Sequence, residues 1–399
     1  MTTLSASALL PFLPQEILVE ILSKLPAKSL VRFKCVSKFF SSLLVDHPFT
    51  DLHRNWSLTL PSRMSILILY PVLWREPNFP NFNWHYTINY SEENQGNLHL
   101  QANRLQYFDD NPNLFRKLYL SSSLNGLICF CRFSDRSDEI AIHNLSTRQH
   151  IPLPSNCHYD GSCKMNAFGL LGFDSGSRRY KVLKSVEFTT GDSVSVKHWV
   201  FTLGVDKSWR EIHSSPYYHP YNCFNNHFYS TSVHIDGVIY SLNSLNKDGD
   251  IVAFDFRTEN FRAIPPPPST TMWVGPTKAT SGLVKVDGRL AFVNNLKRDE
   301  LNPLRYGMTI WILEEESIAW KKQYVIHFPI SLEGSFNKTN LFFASNHVGE
   351  IAVLVMLKRS VPILLFYNFR KRSWRKFDIY QLPVPHLITA MHFISDNIF

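Results

Sequence analysis

The side chains best suited to chemistry crowd one short stretch. His213, His219, Cys223 and His227 are types that ligate zinc, and they sit among Tyr217, Tyr218, Tyr221, Phe224 and Phe228. Their spacing matches no closed zinc pattern, so no metal ligand is assigned and no cofactor is expected, a metal site standing only as the alternative. The aromatic residues offer rigid contact area of the kind protein partners use. Tyr217, Tyr218, Tyr221, Phe224 and Phe228 therefore form a candidate substrate-binding loop, with a plain solvent-facing loop as the other reading. No phosphate-cradling loop, dinucleotide fingerprint, nucleophile elbow or paired Cys-x-x-Cys occurs elsewhere, and no catalytic residue is assigned. Pro265 to Pro268 could serve as a polyproline ligand for an SH3- or WW-type domain, or as an extended connector after a strand.

The elements that must carry these residues are those of a well-packed chain. Of 399 residues, 44% are hydrophobic, 14% aromatic and only 19% charged, which argues against disorder. The formal charge of +8 is mild. Its densest run, Arg370 to Arg372 with Arg375 and Lys376, is interrupted by Trp374 after an apolar segment, as in a solvated hairpin, so no nucleic-acid partner is expected. Six cysteines in so long a chain make no disulfide framework and are read as thiols. The most membrane-like stretch, Ile351 to Phe369, has Lys358 and Arg359 at its middle, so it reads as two strands and a turn rather than a span. With no signal peptide recognisable in residues 1–12, the expected location is cytosol or nucleus, with no membrane partner.

The N-terminal part is helical. Pro14 and Glu16 suit a helix start, and Leu18, Ile21, Leu22 and Leu25 recur at i, i+3, i+4 and i+7. Pro26 ends that helix; a second is predicted over Lys28 to Cys35, and a third carries Val36, Phe40, Leu43 and Leu44 on one stripe. So small a module leaves apolar surface exposed, which calls either for a partner or for packing against the rest of the chain.

From about residue 57 short Val/Ile/Phe/Tyr-rich runs alternate with Gly, Pro, Asn, Asp and Ser clusters, the pattern of an all-β domain. A repeat runs through it: a strand, an acidic or Asn-containing turn, then an aromatic followed by Arg or Lys. Copies begin at Ile140, Val200, Ile251, Ile310 and Leu364. Trp209, Phe261, Trp320 and Trp374 mark the same place, at spacings of 52, 59 and 54 residues, near the period of a four-stranded kelch-like propeller blade. Gly-led strands at Gly126, Gly237, Gly288 and Gly349 precede the copies. With strands at Ser65 to Tyr70 and Trp84 to Tyr90, about six blades are expected, closed by pairing of the two ends. The recurrent aromatics are assigned to packing between blades.

The ordered residues from Leu13-Pro14-Gln15-Glu16-Ile17-Leu18 through Ile21-Leu22-Ser23-Lys24-Leu25-Pro26 to Val36-Ser37-Lys38 closely resemble the F-box. Gly169 to Ser175, Tyr180-Lys181-Val182-Leu183, Trp209-Arg210 and Phe256 to Pro265 resemble the F-box-associated domain of a large plant family, a layout that S-locus F-box proteins share. The resemblance divides the chain into a tail, 1–12, a three-helix F-box, 13–52, and a β-propeller-like recognition domain, 57–399. It implies that Leu13, Pro14, Ile17, Ile21, Leu22, Leu25, Pro26, Leu30, Val36 and Phe40 lie in or beneath an interface with a Skp-type adaptor, and through it with a cullin and a RING subunit. Phe39-Phe40 stands where the family commonly has Trp. The implied role is non-enzymatic: recruitment of an unidentified target protein to a ubiquitin ligase. The alternatives are a scaffold outside any ligase, or a ligand- or glycan-binding propeller with an F-box attached.

Overall fold

The computed structural model describes residues 13–60, 63–70, 84–90, 99–115, 118–132, 137–156, 163–213, 218, 232–242, 250–268, 281–298, 306–314, 318–329, 340–346, 348–356, 361–382 and 390–398. Four helices come first: α1 (Gln15–Ser23), α2 (Ala27–Phe33), α3 (Lys38–Leu43) and α4 (His47–Thr59). Pro14 and Pro26 flank α1 and α2 at positions where a missing N–H costs nothing. Ser37 caps α3 by accepting a hydrogen bond from the Phe40 amide at 3.4 Å. The first three helices match expectation. The fourth does not: helix continues to Thr59, through the residues around 57 where β-structure was expected to take over. Its buried stripe is Phe49, His53 and Ser57, correctly spaced for a helix but two-thirds polar, so hydropathy alone does not reveal it.

The strands then run β1 (Met64–Tyr70), β2 (Trp84–Asn89), β3 (His99–Arg104), and, after two short helices, α5 (Gln106–Asp110) and α6 (Pro112–Phe115), β4 (Leu118–Leu124), β5 (Leu127–Arg132), β6 (Ile140–Asn144) and β7 (His150–Pro152). There follow β8 (Lys164–Asp174), β9 (Arg179–Thr190), β10 (Ser193–Thr202), β11 (Arg210–Ile212), β12 (Ser232–Ile235), β13 (Val238–Leu242), β14 (Ile251–Asp255) and β15 (Asn260–Ile264). The last are β16 (Ser281–Val286), β17 (Arg289–Arg298), β18 (Tyr306–Glu314), β19 (Ala319–His327), β20 (Asn340–Ser345), β21 (Ile351–Met356), β22 (Ile363–Asn368), β23 (Ser373–Tyr380) and β24 (Ala390–Ser395).

Among the described residues these strands form six four-stranded antiparallel blades. Five are consecutive: β4–β7, β8–β11, β12–β15, β16–β19 and β20–β23. The sixth is composite, with β24 entering beside β1, Met64 opposite Ser395 through Leu69 opposite Ala390, followed by β2 and β3. The two ends of the β-domain thus close the ring, as the repeat arithmetic anticipated, with the first strand of each blade facing the axis. A short parallel pairing of β23 with β3, Asp378 opposite His99, joins two blades at their outer edges.

The repeat is now explained. Each copy is the third strand, turn and fourth strand of a blade. Asn144 and Asp255 begin such turns, their side-chain oxygens accepting backbone N–H bonds from two and three residues onward. The Gly-led strands are second strands entered through tight turns; in Asp236-Gly237 and Asp287-Gly288 both residues have positive φ, the conformation that matches the twist of a hairpin. The repeat tryptophans zip blade to blade. Trp320 Nε1 donates to the Pro265 carbonyl at 2.7 Å and Trp374 Nε1 to that of His327 at 2.9 Å, each reaching the segment that leaves the preceding blade; Trp209 does the same to Pro154. Phe261 has no N–H to give and instead packs its ring against His198, centroids 4.8 Å apart.

Second and third strands lie between neighbouring blades and are buried on both faces. β21, Ile-Ala-Val-Leu-Val-Met, is buried throughout, and β22 nearly so. The membrane-like stretch is this strand pair, and Arg370 to Arg372 form the exposed turn after β22. Pro265 to Pro267 leave β15 as the connector read from the sequence. Among the described residues no helix is long and apolar enough to cross a membrane.

Candidate functional site

The helical module has too few residues to bury its apolar side chains, and the structure sorts them. Leu22, Ala27, Leu30, Leu43, Leu44 and Phe49 make its core. Leu13, Ile17, Ile21 and Val36 are exposed, at 55, 45, 47 and 66%. The residues implied by the F-box resemblance thus fall into tiers: Leu13, Pro14, Ile17, Ile21, Pro26 and Val36 at the surface, Leu25 and Phe40 half-buried, and Leu22 and Leu30 buried beneath. Ile17 and Ile21 are one turn apart on α1, so they present one ridge. Two further exposed apolar residues were not singled out: Phe39, its ring 5.4 Å edge-on from Phe40, and Val45. The signal for Phe39 was its place in the expected aromatic position; nothing in the pattern marked Val45.

A buried histidine lies beneath, and it is kept neutral. His53 is buried, and burial, outweighing the attraction of the Asp396 carboxylate, lowers its pKa to about 4. The neutral ring donates Nε2–H to the Leu25 carbonyl at 3.1 Å, tying α4 to the end of α1. Glu20 and Lys24 pair at 2.7 Å on the exposed side of α1.

The propeller offers two faces. Turns joining first to second and third to fourth strands open on one face, and connections between second and third strands and from blade to blade leave from the other. The helical module occupies the tight-turn face: Asp51 of α4 pairs with Arg178 at 3.4 Å, and the Arg54 guanidinium lies 4.1 Å from the centroid of Phe173. At the opposite face β11, β15 and β19 end, and the chain leaves each blade for the next from there. An axial cavity of about 770 Å3 opens toward the helical module, reached by Asn55 and Leu58 of α4 and lined by inner-strand residues including Phe173, His234, Lys285 and Phe343. Burial, then the charge of Lys285, lowers the pKa of His234 to about 4, and its Nε2 accepts from the Phe173 amide at 3.3 Å.

Of the candidate substrate loop, Tyr217, Tyr221, Phe224 and Phe228 lie outside the described residues, as do His219, Cys223 and His227. Tyr218 corrects the expectation. It is 1% exposed, packed 6.0 Å from His198 and 5.9 Å from Phe261, and burial raises its phenol pKa strongly. It is a core residue between blades and presents nothing to a partner. His213 is exposed at the start of that connection. Among the described residues no group of three His, Cys, Asp or Glu side chains is placed to hold a metal.

Comparison with known proteins locates the same two parts. The F-box domain matches residues 10–52, and the F-box associated beta propeller domain matches residues 75–398. An F-box/kelch-repeat protein of Arabidopsis thaliana is 27% identical, the alignment covering 94% of this chain and 86% of that one. An F-box protein of the same plant is 29% identical over 90% of this chain and 86% of its own. Among solved structures, a lectin of Aleuria aurantia aligns over 78% of this chain and 90% of that one, at 9% identity and a TM-score of 0.43.

Proposed function

The chain belongs to the plant F-box proteins that carry a C-terminal F-box-associated β-propeller domain, and from that premise we propose that it is the substrate-recognition subunit of a Skp–cullin–F-box ubiquitin ligase. The observation that carries this reading is the exposure of the apolar residues Leu13, Ile17, Ile21 and Val36, with Ile17 and Ile21 on one ridge of α1, on a module docked to one face of a propeller whose blade-to-blade connections leave from the other. The ridge takes the Skp-type adaptor, which brings the cullin and the RING subunit. The distal face takes the target protein. The chain itself makes and breaks no bond: it raises the local concentration of target lysines near a charged ubiquitin-conjugating enzyme. It works in the cytosol, the nucleus or both, where the adaptor and cullin operate.

Each exposed ridge residue that becomes buried contributes about 1.5–3 kcal/mol. Ile17→Asp with Ile21→Asp should therefore lower adaptor affinity by about 100-fold or more, measured by calorimetry, without unfolding a chain in which both side chains face solvent. Co-purification with adaptor and cullin is the companion test. Cullin retained by the parent and lost by the variant supports the ligase reading; adaptor bound without cullin favours a scaffold; no adaptor bound by the folded parent overturns the proposal.

A further inference from the structure

The helical module's hydrophobic core is completed by a residue from the far end of the chain. Ile398, 5% exposed, packs among Leu22, Ala27, Leu30, Leu43, Leu44 and Phe49. Two positions earlier, Asp396 Oδ2 accepts the hydrogen bond of the Ala27 amide at 2.5 Å. Ala27 is the first residue of α2, whose N-cap is Pro26 and has no side-chain acceptor of its own. The capping carboxylate comes instead from 369 residues along the chain, where it also meets the positive end of the helix.

Between these two, Asn397 is held by the propeller. Its amide donates to Ser146 Oγ at 3.2 Å and its carbonyl accepts from Asn144 Nδ2 at 3.0 Å. Its side-chain Nδ2 donates to the Asn125 carbonyl at 2.5 Å and to Tyr180 Oη at 3.0 Å. Those partners belong to two blades, β4–β7 and β8–β11. The strap runs so close to the first of these that a Cβ on Gly126, at φ +80°, would lie 2.0 Å from the Ser395 carbonyl oxygen. Alternate residues of one extended segment therefore serve different bodies: Asp396 and Ile398 the helices, Asn397 the propeller.

We infer that Asp396-Asn397-Ile398 is a clasp that fixes the helical module against the propeller in a single orientation, and that Asp396 and Ile398 are positioning residues for the surfaces at the two ends of the molecule. The inference concerns the inside of the chain and stands whether or not the module binds an adaptor. Other contacts among the described residues, such as Asp51 with Arg178 and Arg54 over Phe173 and Tyr180, are partly exposed and rest on charged side chains, and do not replace an apolar anchor.

The test compares the full chain with the double variant Asp396→Ala, Ile398→Ala. Calorimetric melting should change from one cooperative transition to two, the helical module melting first, and small-angle scattering should show a larger radius of gyration with a broader distance distribution below the first transition. A single transition with an unchanged scattering curve overturns the clasp. If the double variant does not fold, Asp396→Ala alone, which leaves Ile398 seated, decides by native-state amide exchange. Exchange at Ala27 on the order of tenfold faster, with the amides of β9 unchanged, supports the clasp; unchanged exchange at Ala27 overturns it.

Discussion

The helical module and the propeller resolve the same shortage differently. In the propeller every blade has a neighbour on each side, so a strand such as β21 buries all of its apolar residues and the ring needs nothing further. The helical module has no such neighbours. It leaves Leu13, Ile17, Ile21 and Val36 in solvent and borrows Ile398 from the propeller's closing segment. Apolar residues thus fill the folded core in one region and stand in solvent in the other, where the proposed function gives them an adaptor to meet.

Acid tests how far both regions share one weakness. His53 in the helical module and His234 and His392 in the propeller each have a folded pKa of about 4, with burial as the largest cause, and His143 is held at about 3 by burial and by His150 and His85. Each folded value lies below the unfolded one of about 6.5, so the stability they contribute is fully present above pH 6.5 and is lost as pH falls toward 4. At pH 5 the loss should be about 2 kcal/mol per histidine, several kcal/mol in all, read as a fall in the urea midpoint against pH 7.5. An unchanged midpoint would mean that these rings are not desolvated.

A paired substitution sharpens the contrast. Phe366→Ala removes a ring that is 0% exposed and packed against Tyr90 and Phe377, and should cost about 3–5 kcal/mol in chemical denaturation. Ile21→Ala, by the same truncation logic, should change stability by less than about 0.5 kcal/mol because its side chain already faces water. The effect of Ile21→Ala should appear instead as weaker adaptor binding under the proposed function. The smallest effect expected in the propeller comes from Trp320→Phe, which keeps an aromatic ring, though a smaller one, and deletes the bond to the Pro265 carbonyl. The expected loss is about 1 kcal/mol, the usual net worth of one such hydrogen bond, read as a shift in the urea midpoint.

Much of the fold was legible because each blade repeats the same physical demands. A third strand needs a turn whose Asn or Asp caps backbone amides, and a fourth strand needs a ring that reaches the preceding blade. Asp255 with Phe261 and Asn368 with Trp374 therefore recur at blade spacing. The exposed ridge was legible through the ordered F-box residues rather than through hydropathy, since Leu22 and Ile21 are equally apolar and only one of them is buried. α4 was missed because two of its three buried positions are His53 and Ser57, whose burial depends on the Leu25 carbonyl and on Arg63. Tyr218 was misplaced for a related reason: an aromatic in a long connection reads as contact area until His198 and Phe261, from two different blades, are seen to enclose it.

What the sequence determined by itself, then, is whatever local periodicity and turn chemistry specify: the helices of the N-terminal module up to α3 and the strand repeat, from which about six blades with paired ends were expected. Only the tertiary structure decided which apolar residues remain outside and what holds the two regions together. The reason is distance along the chain. Ala27 and Asp396 share a hydrogen bond across 369 residues, and Ile398 completes a core made by residues 22 to 49. No period or local pattern links such positions, because closing the ring is what brings them together.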